Sequence, residues 1–296
     1  MRLFSLLLLG ATLLSPALAQ LSVTALHPVI GDLTRSVGGE HVAVHDLLPL
    51  GGNPHTFEPT AADLARLSRT KLVFASGKKL EPYLDKLHRA TPAPIIEVGR
   101  RIPSILVDAD QPLFLCCPEH AKGCIDPHWW HNPLHMKRAA RTVAEALAKA
   151  DPTNAAAYKA NAAATGKRMD ALHKWVKGQV ATIPRSQRKL VTAHLAFGYF
   201  CKEYGFKAMG LQGLSQAVDP SPRDLAAAVK TIQKEKLVVA FPEHLANPEL
   251  LQTLHRETGI RLGPPLLADT LSDQAKGYED MIRANVNAIV RGFKAR

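Results

Sequence analysis

Apolar and polar positions fall along this chain in two runs of a strand-helix rhythm, separated by a helical stretch of different character. Residues 23–26 (VTAL) form a short apolar run. Pro28 then opens a predicted helix ending near Val37. Positions 42–47 alternate toward a second strand. A short helix is predicted at 61–68, a strand at 71–75 (KLVFA), a helix at 81–88 and a strand at 95–98 (IIEV). Strands and helices that alternate at this spacing predict a mostly parallel sheet covered by helices. The stretches 134–149 and 154–177 are rich in Ala, Lys, Arg and Leu and are broken at Asp151-Pro152. They predict two helices, the second long enough to join separate units. The rhythm then restarts, with strands at 189–193, 207–211 and 237–241 and a short one at 265–267. Helices are predicted at 197–204, from Pro222, at 249–258 and at 275–291. The expectation is an α/β chain of two lobes, each a mostly parallel sheet flanked by helices. Residues 20–155 and 185–296 are the lobes, and a helix over 156–184 links them.

The first residues read differently. Met1-Arg2 precedes an apolar run at 3–14 that is short for a membrane span. Ala17-x-Ala19 then predicts a signal peptide over 1–19, cut after Ala19. No cysteine sits at that cut, so a lipid anchor is not expected. The chain is 46% hydrophobic and 21% charged, as globular proteins are. Its net charge of +11 raises nucleic acid as a partner. The basic residues, however, are scattered pairs such as Lys78-Lys79 and Arg100-Arg101, without an aromatic platform. Export removes that partner as well.

Of the thirteen histidines, His41, His88, His173 and His255 have polar or helical neighbours and read as surface positions. His55 lies on the Gly51-Gly52-Asn53-Pro54 turn past a strand end, where open α/β sheets bind ligands. His128 sits in Asp126-Pro127-His128-Trp129-Trp130-His131, whose indoles can exclude water and whose Asp126 can fix an imidazole tautomer. His194 directly follows the strand KLVTA. Asp269 follows a short apolar run, a position that also suits a helix cap. Three imidazoles and one carboxylate complete a zinc shell if these four converge. Glu243 and His131 compete as ligands. A secreted zinc hydrolase is the rival class. It finds no HExxH or G-x-S-x-G here and only Glu243 as a base.

The stretches GGNPHTFEPTAADL (51–64), DPHWWHNP (126–133), VTAHLAFGYFCKEYG (191–205) and LLADTLS (266–272) occur in this order. Together they resemble the periplasmic solute-binding proteins of bacterial zinc and manganese ABC importers, whose lobes are joined by a long rigid helix. The resemblance spans 21–296. It implies metal ligation by His55, His128, His194 and Asp269, an inner-membrane ABC permease as partner, and no catalysis. A periplasmic metallochaperone is a further candidate partner, and the chain is expected to act as a monomer. Manganese-type members often carry Glu where His194 stands. The third imidazole therefore favours Zn2+ over Mn2+ as cargo, in line with the affinity order of divalent metals.

Cys116, Cys117 and Cys124 flank His120 and Glu119 just before DPHWWH, and Cys201 lies elsewhere. In an exported chain a disulfide from Cys116 or Cys117 to Cys124 is expected. Reduced thiols with His120 would instead offer an accessory metal site.

Overall fold

The computed structural model describes residues 20–107, 123–214, 221–246 and 248–295. The predicted signal peptide, Cys116, Cys117, Glu119 and His120 lie outside them.

The first lobe carries four parallel strands, β1 (Leu21–Ala25), β2 (Val42–Asp46), β3 (Leu72–Ala75) and β4 (Ile95–Glu97), in the order β2-β1-β3-β4. β3 is buried along its whole length, which its unbroken LVFA sequence requires. Helix α1 (Pro28–Gly38) returns the chain from β1 to β2, with Pro28 in its first turn where a missing N–H costs nothing. Helix α2 (Ala61–Leu67) begins on a reciprocal cap. The Thr60 hydroxyl accepts from Asp63 N, and Asp63 accepts from Thr60 N. Such a cap contributes about 1 kcal/mol. Helix α3 (Leu84–Ala90) starts later than predicted. Glu81, expected inside it, is buried and instead accepts from Ser76 N at 2.6 Å and Gly77 N at 3.1 Å.

Two antiparallel helices follow, α4 (Pro133–Ala150) and α5 (Ala155–Val180). Asn132 caps α4 by accepting from Leu134 N, and Asp151-Pro152 separates the two helices as expected. α5 has no single apolar stripe because α1, α4 and the terminal helix α9 (Tyr278–Lys294) all pack on it. It joins the lobes.

The second lobe repeats the first. Strands β5 (Lys189–His194), β6 (Lys207–Gln212), β7 (Val239–Phe241) and β8 (Arg261–Leu262) are parallel and ordered β6-β5-β7-β8. Helices α6 (Gly198–Tyr204), α7 (Pro222–Glu235) and α8 (Pro248–Thr258) connect them. The strand expected at 265–267 is not there. β8 ends at Leu262, and only an isolated Glu243–Leu266 bridge continues the pairing. Pro264 and Pro265 lack the N–H groups a ladder needs.

One apolar core runs through both lobes, from Val23 and Phe74 through Met169 and Leu172 to Phe241 and Ile289. Each such fully buried side chain contributes roughly 1.5–3 kcal/mol. A shared core resists wide domain swings, so the lobes meet as one body. Among the described residues no helix is long and apolar enough to cross a membrane.

Candidate metal site

In both sheets the strand order reverses beside the first strand of the lobe, which opens a crevice at the carboxyl ends. The two crevices face each other, and the four residues singled out in the sequence meet there. His55 comes from the β2–α2 connection, His128 from the turn before α4, His194 from the last position of β5, and Asp269 from the segment after β8. One donor atom from each lies within 4.8 Å of the others. The Nε2 atoms of His55 and His128 are 3.2 Å apart, and those of His128 and His194 3.3 Å. Asp269 Oδ1 lies 3.6 Å from His55 Nε2 and 3.3 Å from His128 Nε2, and Oδ2 lies 3.4 Å from His194 Nε2. A tetrahedron with zinc–ligand bonds of about 2.05 Å has edges of about 3.3 Å.

Two of the imidazoles are oriented from behind. His128 donates through Nδ1 to Asp126 Oδ1 at 2.8 Å, and its backbone N donates to the same oxygen at 2.9 Å. His194 donates through Nδ1 to Glu243 Oε2 at 2.5 Å, while its backbone N donates to Glu243 Oε1 at 3.0 Å. With the proton on Nδ1, each ring turns an Nε2 lone pair toward the centre. Carboxylates behind ligating histidines do the same in metal sites generally. Gly198 makes room for Asp126, since a Cβ there would fall 2.3 Å from Asp126 Oδ2.

Asp269 is the exception. It is buried, yet neither of its oxygens has a hydrogen-bond partner. Burial alone would raise its pKa, but the three imidazoles hold it well below the ordinary carboxylate range. Burial likewise opposes charge on His128 and His194. Asp126 and Asp269 raise His128, and Glu243 and Asp269 raise His194 well above its ordinary 6.5. Burial lowers His55. Without an ion, protons on the imidazoles balance the carboxylate. A divalent cation replaces them, because its ligands must be deprotonated.

The competing candidates have other partners. Glu243 holds His194. His131 pairs through Nε2 with the Ala268 carbonyl at 2.9 Å and stacks on Phe197, and burial pushes its pKa down to about 3. His27, two residues past β1, lies beside the site and has no counterpart in the sequence reading. It is fully buried, and Nε2 donates to the Asp269 carbonyl at 2.5 Å. An imidazole between a strand end and Pro28 was the available signal, but it reads equally as a helix cap.

The family model described as "Zinc-uptake complex component A periplasmic" matches residues 23–292. The chain belongs to this family. Members of this zinc-uptake family are periplasmic solute-binding components of ABC-type import, and they carry solutes without chemical conversion. The chain is 30% identical to the manganese-binding lipoprotein MntA of Bacillus subtilis over 283 residues, 93% of this chain and 90% of that protein. It is 27% identical to the iron-binding protein YfeA of Yersinia pestis over 269 residues, covering 90% and 84% of the two chains. Among solved structures it is similar to the periplasmic zinc binding protein TroA from Treponema pallidum, with a TM-score of 0.83 and 26% identity over 94% of this chain and 100% of that one. The family and the cluster of three histidines and one aspartate make divalent-metal capture outside the cytoplasm the activity of this chain.

Proposed function

We propose that the chain captures one divalent first-row transition-metal ion with His55, His128, His194 and Asp269 and passes it to an inner-membrane ABC permease. The observation that carries this reading is Asp269, a buried carboxylate with no hydrogen-bond donor at the focus of three imidazoles. Burying a carboxylate without hydrogen bonds is costly, and a cation at the focus of the three imidazoles offsets that cost in place of the protons they otherwise carry. The donor atoms are too close together to admit a substrate as well as an ion, which favours holding over hydrolysis. Residues 20–155 and 185–296 then enclose the ion from two sides, joined by the linking helix 156–184. The site is complete within one chain, so a monomer suffices. A periplasmic metallochaperone stays a candidate donor of the ion, and Cys124 is proposed to pair with Cys116 or Cys117.

Two cargoes have support. Manganese is named for several relatives and bound in structures of the same fold, beside iron and zinc. Zinc fits the nitrogen-rich donor set and its spacing, and divalent metals at such sites rank zinc above manganese in affinity. Affinity and cargo are separate questions: zinc is expected to bind more tightly, whereas availability and the permease select what is carried. The deciding experiment is elemental analysis of protein recovered from cells grown with both metals, followed by titration of the metal-free form with each. Manganese recovered at one ion per chain supports the relatives' cargo, and zinc supports the donor chemistry. A wild-type chain that binds neither metal refutes the reading.

A further inference from the structure

We propose that His27 is a positioning residue that sets the Asp269 carboxylate by holding the backbone of Asp269 from the opposite lobe. The inference rests on the metal-capture reading above and deepens it.

The segment Ala268-Asp269-Thr270 belongs to the second lobe but is held by donors of the first. Trp130 Nε1 and His131 Nε2 reach the Ala268 carbonyl at 3.0 and 2.9 Å. Gly51 N reaches Thr270 Oγ1 at 3.2 Å. Trp130 and His131 thus hold the peptide that enters Asp269, and His27 Nε2 holds the one that leaves it by taking the Asp269 carbonyl. The Asp269 side-chain oxygens have no hydrogen bonds of their own. Their position therefore follows from the backbone, and His27 supplies the hold on its C-terminal side relative to His55 and His128.

The choice of imidazole here is informative. A ring that donates through Nε2 to a carbonyl leaves Nδ1 as an acceptor, and Nδ1 of His27 is buried without a partner. The ring packs against Trp130 with centroids 5.0 Å apart. A phenyl ring would keep that packing and avoid burying an unsatisfied nitrogen, which destabilises a fold. What phenyl lacks is the N–H aimed at Asp269. The structure thus accepts a buried polar defect in order to keep one donor on the backbone of a ligand.

The test compares metal affinity and dissociation rate, by titration and chelator-chase, in three variants of the full chain. His27→Phe keeps the ring and deletes the donor. His27→Gln carries an amide N–H the same number of bonds from Cα as Nε2. His27→Asn carries one that is a bond too short. Partners that orient metal ligands are worth about 10–100-fold in affinity, so His27→Phe is expected to bind at least about tenfold more weakly and release faster. His27→Gln should stay within about threefold of wild type, because its hydrogen bond is restored. Equal binding by wild type and His27→Phe would overturn the proposal, as would equal losses in the Phe and Gln variants. If His27→Phe does not fold, the Gln and Asn variants decide: retention by Gln with loss by Asn supports positioning, and equal binding refutes it. Failure of wild type itself to bind metal would refute the capture reading instead.

Discussion

The two lobes share a strand order, yet His194 of the second and His55 of the first are held in opposite ways. His194 ends a central strand, is fully buried, and is gripped at both its backbone N and Nδ1 by Glu243, which follows the adjacent strand β7. His55 rides on the connection after β2. Its local support is a hydrogen bond from its backbone N to Asn53 Oδ1 at 2.9 Å, and its side chain keeps 8% exposure where those of His128 and His194 keep 0%. The second lobe offers one gripped ring, whereas the first pairs a gripped ring, His128, with a loop ring, His55, at the solvent side of the site. If the four residues hold an ion as proposed, this difference makes His194, His128 and Asp269 the preset part of the site and His55 its solvent-side part.

The strongest way to break this comparison is to remove each imidazole in turn. His194→Ala is expected to abolish tight binding and to destabilise the metal-free fold by about 3 kcal/mol, since the buried Glu243 carboxylate loses its charged partner. His55→Ala should weaken binding as well but cost under about 1 kcal/mol of stability, as a partly exposed loop change does. Calorimetric titration and thermal melts measure both, and equal melting losses would erase the distinction.

Glu243→Gln tests the grip without removing a ligand. A drop of about 10–100-fold in affinity is expected, with the loaded coordination shell unchanged. Asn53→Ala makes the matching test on the loop side. Losing one neutral hydrogen bond is worth about 0.5–1.5 kcal/mol, so release should quicken by no more than about tenfold. If Asn53→Ala exceeded Glu243→Gln in effect, the loop would be the preset half.

Protonation gives a subtler contrast. His194 has a folded pKa well above its ordinary 6.5, so it stabilises the metal-free protein below that value and loses this contribution as pH rises through the folded pKa. Metal and proton compete for the same nitrogens. Affinity should therefore fall as pH falls, and loading should release protons, read from titrations in buffers of different ionisation enthalpy. His194→Ala should release fewer protons than wild type. His55, whose pKa burial lowers, should make little difference to proton release.

Much of this was legible in the residues themselves. Strand-helix periodicity located the first-lobe strands and the Asp151-Pro152 break because both are local signals. His55, His128, His194 and Asp269 were recognisable because each follows a strand end or a Pro/Gly-marked turn, and the structure brings them together. What periodicity could not express was pairing across the chain. Glu243 competed as a ligand in the sequence, but its distance from the centre is set by the β5–β7 register, which turns it onto Nδ1 of His194. His27 was missed for the same reason, since its partner lies 242 residues away. The misplaced strand at 265–267 was a local error, where the prolines should have outweighed the apolar run. Choice of cargo lay further still from the sequence. A third imidazole favours zinc, while several relatives are named for manganese.

X-ray absorption spectroscopy of the protein loaded with one equivalent of zinc tests the four-ligand site most directly. A four-coordinate nitrogen/oxygen shell at about 2.0–2.1 Å is expected, with scattering from three imidazoles that falls to two in His194→Ala. A sulfur-containing shell, or a wild-type spectrum that His194→Ala leaves unchanged, would contradict it.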